Sequence, residues 1–172
     1  MSLTSFLASK CFEYLLKEET STVQQKTMPL YPPWSVAGKD FRALCDGCGN
    51  CAAACGNRII VIGKDSFPAV DFTQGSCTFC GDCARSCPTG ALQFEAEKAP
   101  WHLRVRIAET CLLRSQMLCL TCVEQCETGA IRLPQIEGQL PQITAEHCNG
   151  CGYCCRPCPV GAISLVTIND GE

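Results

Sequence analysis

The spacing of apolar residues divides the chain into an arm and a repeated part. Through about residue 18, apolar side chains recur three and four positions apart, which predicts an amphipathic helix. They are Leu3, Phe6, Leu7, Cys11, Tyr14 and Leu15. The polar stretch Thr20–Thr27 then predicts a linker, and Pro29–Ser35 an extended segment. We therefore predict an N-terminal arm over residues 1–36 that covers the rest of the protein or docks a partner.

Beyond the arm, short apolar stretches flank four cysteine-rich loops that recur every 32 to 37 residues, roughly. Strands that leave a loop are predicted at 58–62, 91–94, 130–133 and 162–168, and strands that approach one at 69–72, 103–107 and 142–144. Turns at Gly63–Phe67 and Glu137–Gln139 join strands into hairpins. A short helix is expected to begin at the fourth cysteine of each loop. This order of short strands and helices predicts an α+β fold.

Sixteen of the eighteen cysteines lie in four runs. The runs are Cys45, Cys48, Cys51 and Cys55; Cys77, Cys80, Cys83 and Cys87; Cys111, Cys119, Cys122 and Cys126; and Cys148, Cys151, Cys154 and Cys158. Three runs keep the bacterial ferredoxin spacing C-x2-C-x2-C-x3-C, in which three thiolates bind one 4Fe–4S cubane and the fourth reaches the other cluster of a pair. The four runs therefore predict four 4Fe–4S clusters with four thiolates each.

The third run departs from this spacing, because seven residues separate Cys111 from Cys119. We favour a complete fourth cluster, for which Cys111 arrives from a longer loop. The alternative is a three-iron or labile site in which Cys111 is merely buried.

Other uses of the cysteines fit less well. Structural zinc sites usually take two separated C-x2-C pairs, so a third and a fourth cysteine in each run would be surplus. Disulfides require an oxidising compartment, and no secretory signal is visible. Cys11 and Cys155 fall outside the ligand pattern and are expected to be small buried apolar residues.

Two repeats make one bacterial-ferredoxin-like module with two clusters, so we predict two tandem modules at residues 37–97 and 98–172. Pairing consecutive runs, as neighbours in sequence tend to pair, defines four ligand sets. These are Cys45, Cys48, Cys51 and Cys87 for cluster 1; Cys77, Cys80, Cys83 and Cys55 for cluster 2; Cys111, Cys119, Cys122 and Cys158 for cluster 3; and Cys148, Cys151, Cys154 and Cys126 for cluster 4. A nested pairing, of the first run with the fourth and the second with the third, also fits the segment lengths.

Composition and charge narrow the possible functions. Aromatic residues make up only 7% of the chain, and the hydrophobic 47% includes eighteen cysteines, so clusters must complete a small core. Sixteen thiolates and four oxidised cubane cores would take the formal charge of −3 to roughly −11, which disfavours nucleic acid and favours a basic protein partner.

We see no targeting segment and no apolar run that would span a membrane, and therefore expect a cytoplasmic protein.

Few other residues suggest chemistry. His102 and His147 lie outside the ligand spacing. Arg104 and Arg106 share one strand face, which is expected to be solvated or, alternatively, to contact a partner. Trp34 either packs against the core or anchors a partner. We find no phosphate-binding glycine loop, no Ser/His/Asp set and no paired carboxylates with catalytic spacing, and predict that the protein is not an enzyme.

The order of these motifs resembles one ferredoxin family in particular. Its signs are Pro-Pro-Trp-Ser at 32–35, Cys-Thr-Phe-Cys at 77–80, the seven-residue gap after Cys111, and Cys-Asn-Gly-Cys at 148–151. Over about residues 29–166, the chain is similar to the NapF family of ferredoxin-type accessory proteins of the periplasmic nitrate reductase system. The resemblance implies a cytoplasmic protein that acts on the catalytic molybdenum subunit before its export, and assists assembly of that subunit's own 4Fe–4S cluster.

Three functions are therefore open at this point. The first is maturation of the reductase catalytic subunit, which the resemblance implies. The second is that of an electron carrier that passes single electrons between redox partners, which the cysteine spacing fits equally well. The third is a binding module in which the clusters serve only as structural staples, which sixteen ligands in so small a chain disfavour.

Overall fold

The computed structural model describes residues 30–36 and 39–168. The predicted amphipathic helix and the linker at 20–27 lie outside the described residues. Residues 30–36, the end of the predicted arm, pack into the first hydrophobic core, where Pro32, Pro33 and Trp34 are buried. Of the two roles open to Trp34, the structure therefore shows packing against the core.

The first half of the described chain contains short helices around one hairpin. Its elements are α1 Lys39–Leu44, α2 Asn50–Ala54, β1 Ile60–Ile62, β2 Pro68–Val70 and α3 Asp82–Arg85. β1 and β2 are antiparallel, which confirms the predicted hairpin. The strand begins later than predicted because Arg58 has a left-handed φ of 55°, which is incompatible with an extended strand.

The predicted strand at 91–94 is wrong. Only Leu92 pairs, through an isolated antiparallel bridge with Ser35. The backbone of Gln93 donates to Trp34 and that of Val36 donates to Ala91. The pairing cannot extend, because Trp34 has a left-handed φ of 60° and the two prolines before it offer no N–H donor.

The second half repeats the hairpin and adds a longer strand pair. Its elements are β3 Leu103–Ile107, a 3₁₀ helix Leu112–Ser115, α4 Thr121–Glu124, β4 Ile131–Arg132, β5 Gln142–Ile143, a 3₁₀ helix Ala145–His147 and β6 Ile163–Thr167. β4 and β5 form the second predicted hairpin. β3 and β6 pair antiparallel, with Leu103 opposite Thr167 and Ile107 opposite Ile163.

The helices lie before the fourth cysteine of a run, so the prediction that they begin at that cysteine is wrong. α2 follows Gly49, whose left-handed φ of 77° starts a helical turn, and it ends at Cys55, which has extended backbone angles. α3 follows Gly81 in the same way, with φ 79°. Within the described part of the chain, no helix has the length and apolar character needed to cross a membrane.

Two hydrophobic cores meet along β3. Leu103 belongs to the first core, whereas Val105 and Ile107 belong to the second. Cys155 and Leu165 are partly buried and pack against both cores. The two halves are therefore in direct contact at these residues.

Candidate metal centres

In the first half, the structure gathers eight cysteines around two cavities. One cavity is lined by Cys45, Cys48, Cys51 and Cys87, which we call the first set. The other is lined by Cys55, Cys77, Cys80 and Cys83, the second set. In each set three cysteines come from one run and the fourth comes from the other run. These groups are the ones that sequential pairing assigns to clusters 1 and 2.

The second half repeats this arrangement. Cys111, Cys119, Cys122 and Cys158 line one cavity and form the third set. Cys126, Cys148, Cys151 and Cys154 line another and form the fourth set. The nested pairing would mix runs one and four, and the described cavities show no such mixture.

The insertion in the third run folds into a compact turn. Its 3₁₀ helix ends at Gln116, which adopts a left-handed φ of 59°, and the N–H of Met117 donates back to Leu112. This turn closes the seven-residue gap, so that Cys111 is buried beside Cys119 and Cys122 in one cavity.

Hydrogen bonds from backbone N–H groups to nearby side-chain oxygens hold two of the cysteine loops in tight turns. The N–H of Cys48 donates to Asp46 Oδ1 at 3.0 Å, and the N–H of Cys151 donates to Asn149 Oδ1 at 3.1 Å. The two short turns are therefore equivalent in the first and fourth runs. Such turns aim the loop N–H groups inward, where they can donate to sulfur.

Glycine is required in the second run for space as well as for conformation. A Cβ atom on Gly81, which has φ 79°, would lie 2.4 Å from Cε2 of Phe94. No side chain fits at that distance, so the ring of Phe94 can cover the loop only because residue 81 is glycine.

Burial raises the pKa of several thiols when no metal is bound. It raises the pKa of Cys51, Cys77 and Cys122 to about 11 and that of Cys83 to about 12. Metal binding requires thiolates, so iron must displace protons from these four side chains. Loading of the sites should therefore release protons and become weaker as the pH falls.

The fourth cysteines of the second and third runs behave in the opposite way. Burial acts to raise the pKa of Cys87, but the backbone N–H of Leu92 and the hydroxyl of Thr89 outweigh it, and the pKa is lowered. The pKa of Cys126 is also lowered against the effect of burial, by the hydroxyl of Thr128 and the backbone N–H of Ile131. The shared Cys-x-Thr turn therefore favours a thiolate at both positions.

The remaining candidates are not gathered at a cavity of this kind. Cys11 lies outside the described residues. The neighbouring side chain of Cys155, together with burial, raises the pKa of Cys154. His147 is exposed at the end of a 3₁₀ helix. Arg104 is half-buried and donates to the carbonyl of Cys148 at 3.3 Å, so the prediction of a solvated face is wrong for this residue.

Sequence reasoning assigned no structural role to two aromatic residues at the cysteine loops, Phe79, which it noted only as part of the Cys-Thr-Phe-Cys motif, and Trp101. Their rings lie 6.2 Å apart, and the indole N–H of Trp101 donates to the carbonyl of Asn149. One signal was available, because Phe79 stands where the first and fourth runs have glycine.

The sulfur atoms of each set are spread around a cavity. Among residues 30–36 and 39–168, no three His, Cys, Asp or Glu side chains are close enough together to hold a single metal ion. The chemistry of the donors is uniform, since the four residues of every set are thiols, the ligands that iron–sulfur clusters take. The sets therefore fit a 4Fe–4S group, which accepts one thiolate at each iron corner.

Comparison with known proteins agrees with this chemistry. The model of the 4Fe-4S dicluster domain matches residues 44–91. The ferredoxin-type protein NapF of Escherichia coli (strain K12) is 37% identical over 135 residues, which cover 77% of this chain and 82% of that protein. NapF of Haemophilus influenzae is 36% identical over 151 residues, 87% of this chain and 85% of that protein. The methylamine utilization ferredoxin-type protein MauM of Methylophilus methylotrophus is 35% identical over 155 residues, 79% of this chain and 69% of that protein.

Proposed function

Since this chain belongs to the NapF family of ferredoxin-type 4Fe–4S proteins, we propose that it holds four clusters in two tandem ferredoxin-like modules. The observation that carries this proposal is that four cavities are each lined by four cysteines. In every set, three ligands come from one run and the fourth from the neighbouring run, as in two-cluster ferredoxins.

The strand pairing supports the division into two modules. In the second module, residues 98–172, the entering strand β3 pairs with the leaving strand β6. The first module consists of residues 37–97 together with the segment 30–36. Its bridge from Ser35 to Leu92 corresponds to the β3–β6 pairing of the second module. Each module also has a central hairpin, β1–β2 or β4–β5. The equivalent elements support two copies of one unit.

When bound, a 4Fe–4S cluster takes up and releases single electrons. The chain supplies the thiolates and the hydrogen bonds that stabilise them. The N–H of Phe79 lies 3.4 Å from Cys77 Sγ, and the N–H of Ala162 lies 3.3 Å from Cys158 Sγ. Hydrogen bonds to a charged sulfur favour the thiolate and tune the potential of the bound group. No residue has a catalytic role in this proposal.

We further propose that the protein acts in the cytoplasm on the catalytic subunit of the periplasmic nitrate reductase, assisting the assembly of that subunit's own cluster before export. Family membership supports this role. The surface supports a protein partner, because Met117 is 52% exposed and Leu118 is 80% exposed directly before Cys119. Large apolar side chains beside a cluster ligand are typical of a contact surface. Cys48 and Cys80 are also exposed, which leaves two further sets accessible.

A second function, single-electron transfer between redox partners, is favoured by the proximity of the sets within each module. α2 carries Cys51 of the first set and is followed directly by Cys55 of the second. α4 likewise carries Cys122 of the third set and is followed closely by Cys126 of the fourth. Neighbouring clusters suit a carrier as well as an accessory protein.

Two experiments test these proposals. Iron and sulfide analysis of anaerobically purified protein, with EPR spectroscopy, should find four 4Fe–4S clusters per chain, and a count of two or the presence of zinc would overturn the architecture.

A pull-down with the reductase catalytic subunit, with and without its export signal, should capture the form that carries the signal. Leu118→Ser should weaken the capture, whereas the control Ile136→Ser, at a side chain 62% exposed, should not. If neither form is captured while the reduced protein rapidly reduces another acceptor, the electron carrier is the better proposal.

A further inference from the structure

The two halves touch at the loops of the second and fourth cysteine runs. The backbone N–H of Cys77 donates to the carbonyl of Cys151, with 2.8 Å between nitrogen and oxygen. Cys77 lines the cavity of the second set, and Cys151 lines that of the fourth. A single hydrogen bond therefore joins cysteines of two different sets across the boundary between the halves.

Trp101 contacts both of these loops. Its ring meets the ring of Phe79 nearly edge-on, with centroids 6.2 Å apart, and Phe79 lies between Cys77 and Cys80 of the second run. Its indole N–H donates to the carbonyl of Asn149 at 3.3 Å, and Asn149 lies between Cys148 and Cys151 of the fourth run. One side chain thus bridges the loops that hold two sets.

Phe79 keeps its ring in this position despite an unfavourable backbone conformation. Its φ is 57°, in the left-handed region that bulky residues avoid. The equivalent positions in the first and fourth runs are Gly47 and Gly150, with φ 71° and 75°. Glycine would relieve the strain in the second run but would remove the ring beside Trp101. An outlier retained at such a position indicates a role for the side chain.

The fourth run packs closely against its neighbours because it has glycine at two positions. A Cβ atom on Gly152 would lie 2.1 Å from Cδ1 of Phe72, which belongs to the first half, and one on Gly150 would lie 2.8 Å from Nε1 of Trp101, the side chain that bridges the two loops. Neither position has room for a side chain while the loops keep this separation. The close approach therefore depends on the sequence at both sides of the contact.

We propose that this contact is an electron-transfer junction between the modules, formed by the Cys77–Cys151 hydrogen bond, Phe79, Trp101 and the two glycines. The proposal rests on the four-cluster function above. Within each module the two sets are neighbours, because each takes its fourth cysteine from the run of the other. A junction between the second and fourth sets therefore gives the order first, second, fourth and third along the electron path. A single electron from a one-electron donor crosses here, so that one set's group is oxidised and the other's is reduced. No bond breaks and no proton is transferred.

The order of the sets can be tested by leaving only two of them loaded in the full-length chain. Cys48→Ser with Cys119→Ser disables the first and third sets and leaves the second and fourth. Cys80→Ser with Cys148→Ser leaves the first and third. After reduction with dithionite, EPR should show a spectrum broadened by spin–spin interaction in the first variant and two isolated signals in the second. Isolated signals in the first variant, or a broadened spectrum in the second, would overturn the proposal.

A matched pair of glycine substitutions tests the junction itself. Gly49 and Gly152 both follow the second cysteine of a run and both have φ 77°, but a Cβ atom on Gly49 would meet nothing closer than 4.0 Å. In the variant that retains the second and fourth sets, Gly152→Ala should reduce the broadening at unchanged iron content, because the loops must move apart, whereas Gly49→Ala should leave it unchanged. Phe79→Gly should also reduce the broadening, since Trp101 then loses a ring that it packs against and the contact loosens. Broadening that is unchanged in Gly152→Ala would contradict the junction.

Iron analysis separates this proposal from the one on which it rests. Fewer than four clusters in the unaltered chain would contradict the proposed function. Four clusters there, with isolated signals when only the second and fourth sets remain, would contradict the junction alone. If the two-set variants do not retain iron, the comparison of Gly152→Ala with Gly49→Ala is made in the unaltered chain, where only Gly152→Ala should narrow the spectrum of the fully reduced protein.

Discussion

The two halves of the molecule have the same arrangement of cysteines but differ in what fills their interiors. The core of the first half contains the buried rings of Trp34, Phe41 and Phe72, with further rings packed against it. The described core of the second half has no aromatic ring. Its buried members are Val105, Ile107, Cys111, Leu113, Cys122, Ile131, Cys154, Ala162 and Ile163.

This difference indicates how strongly each half depends on its bound group. An aromatic side chain buries about 150–250 Å² and supplies much of the apolar surface of a small core. The second half has instead short aliphatic side chains and three buried cysteines. A core of that kind is completed by metal binding, so the free energy of cluster binding is also free energy of folding. The comparison therefore predicts unequal responses to loss of iron.

The largest effect is expected from removal of iron. Chelation under anaerobic conditions should abolish protection of the β3–β6 amides against hydrogen exchange, because the second core loses the groups that complete it. The hairpin β1–β2, which lies beside the aromatic core, should keep partial protection. Hydrogen exchange with mass spectrometry measures both regions in one sample. Equal loss in the two halves would show that the aromatic residues do not provide independent stability.

The next effect concerns the irregular run. Cys111→Ala should remove one complete cluster, about four iron atoms per chain, because the third set then lacks a thiolate at one corner. Cys155→Ala is the matched control, since this cysteine lies in the same half but lines none of the four cavities. Iron and sulfide analysis gives the result. Unchanged iron content and an unchanged EPR spectrum in Cys111→Ala would favour the alternative in which Cys111 is buried but is not a ligand.

A smaller effect is expected from the aromatic core itself. Phe41 is fully buried, and Phe41→Ala should lower the free energy of unfolding of the first half by about 3–5 kcal/mol. Leu44→Ala, at an exposed position of the same helix, should cost much less. Urea denaturation followed by tryptophan fluorescence, which reports on buried Trp34, measures both variants. A similar cost for the two substitutions would contradict the importance of the first core.

The smallest effect concerns an exposed ion pair of the first half. Arg42 contacts Asp65 and donates to the hydroxyl of Tyr31, which ties the hairpin turn to the segment before α1. The hydrogen bond from Arg42 lowers the pKa of Asp65, so the pair stabilises the folded state above pH 4 or so and loses this effect as the pH falls through the lowered value. Asp65→Asn should therefore cause a small decrease in the denaturation midpoint that stays constant between about pH 5 and 8. High salt should remove the difference, and a difference that grows with pH in this range would contradict the assignment.

Local features of the fold could be predicted from the sequence, because short-range chemistry determines them. The turn between β1 and β2 closes through the N–H of Gly63 and the carbonyl of Phe67, only four residues apart, and it was recognised from its composition. The spacing within each run likewise predicts loops that present three thiols to one cavity. In both cases the residues that decide the structure are close together in the sequence.

Contacts between distant residues could not be predicted in the same way. The segment around Trp34 has the composition of a linker, yet it enters the core because Leu92, far along the chain, offers a pairing partner for Ser35. The pairing of β3 with β6 likewise joins strands that lie far apart in the sequence. No contact between Phe79 and Trp101 could be predicted, because it depends on two loops meeting, and neither loop alone contains that information.

The exchange of cysteines between neighbouring runs has a consequence for the ancestry and engineering of this chain. Cys55 lines the cavity of the second run, and Cys87 lines that of the first, so neither run provides a complete cavity by itself. A gene duplication or a domain transplant that copied a single run would give a cavity with only three cysteines, and the fourth cysteine of that run would line no cavity. The smallest segment that encloses complete cavities is thus a pair of runs, and the four described runs form two such pairs.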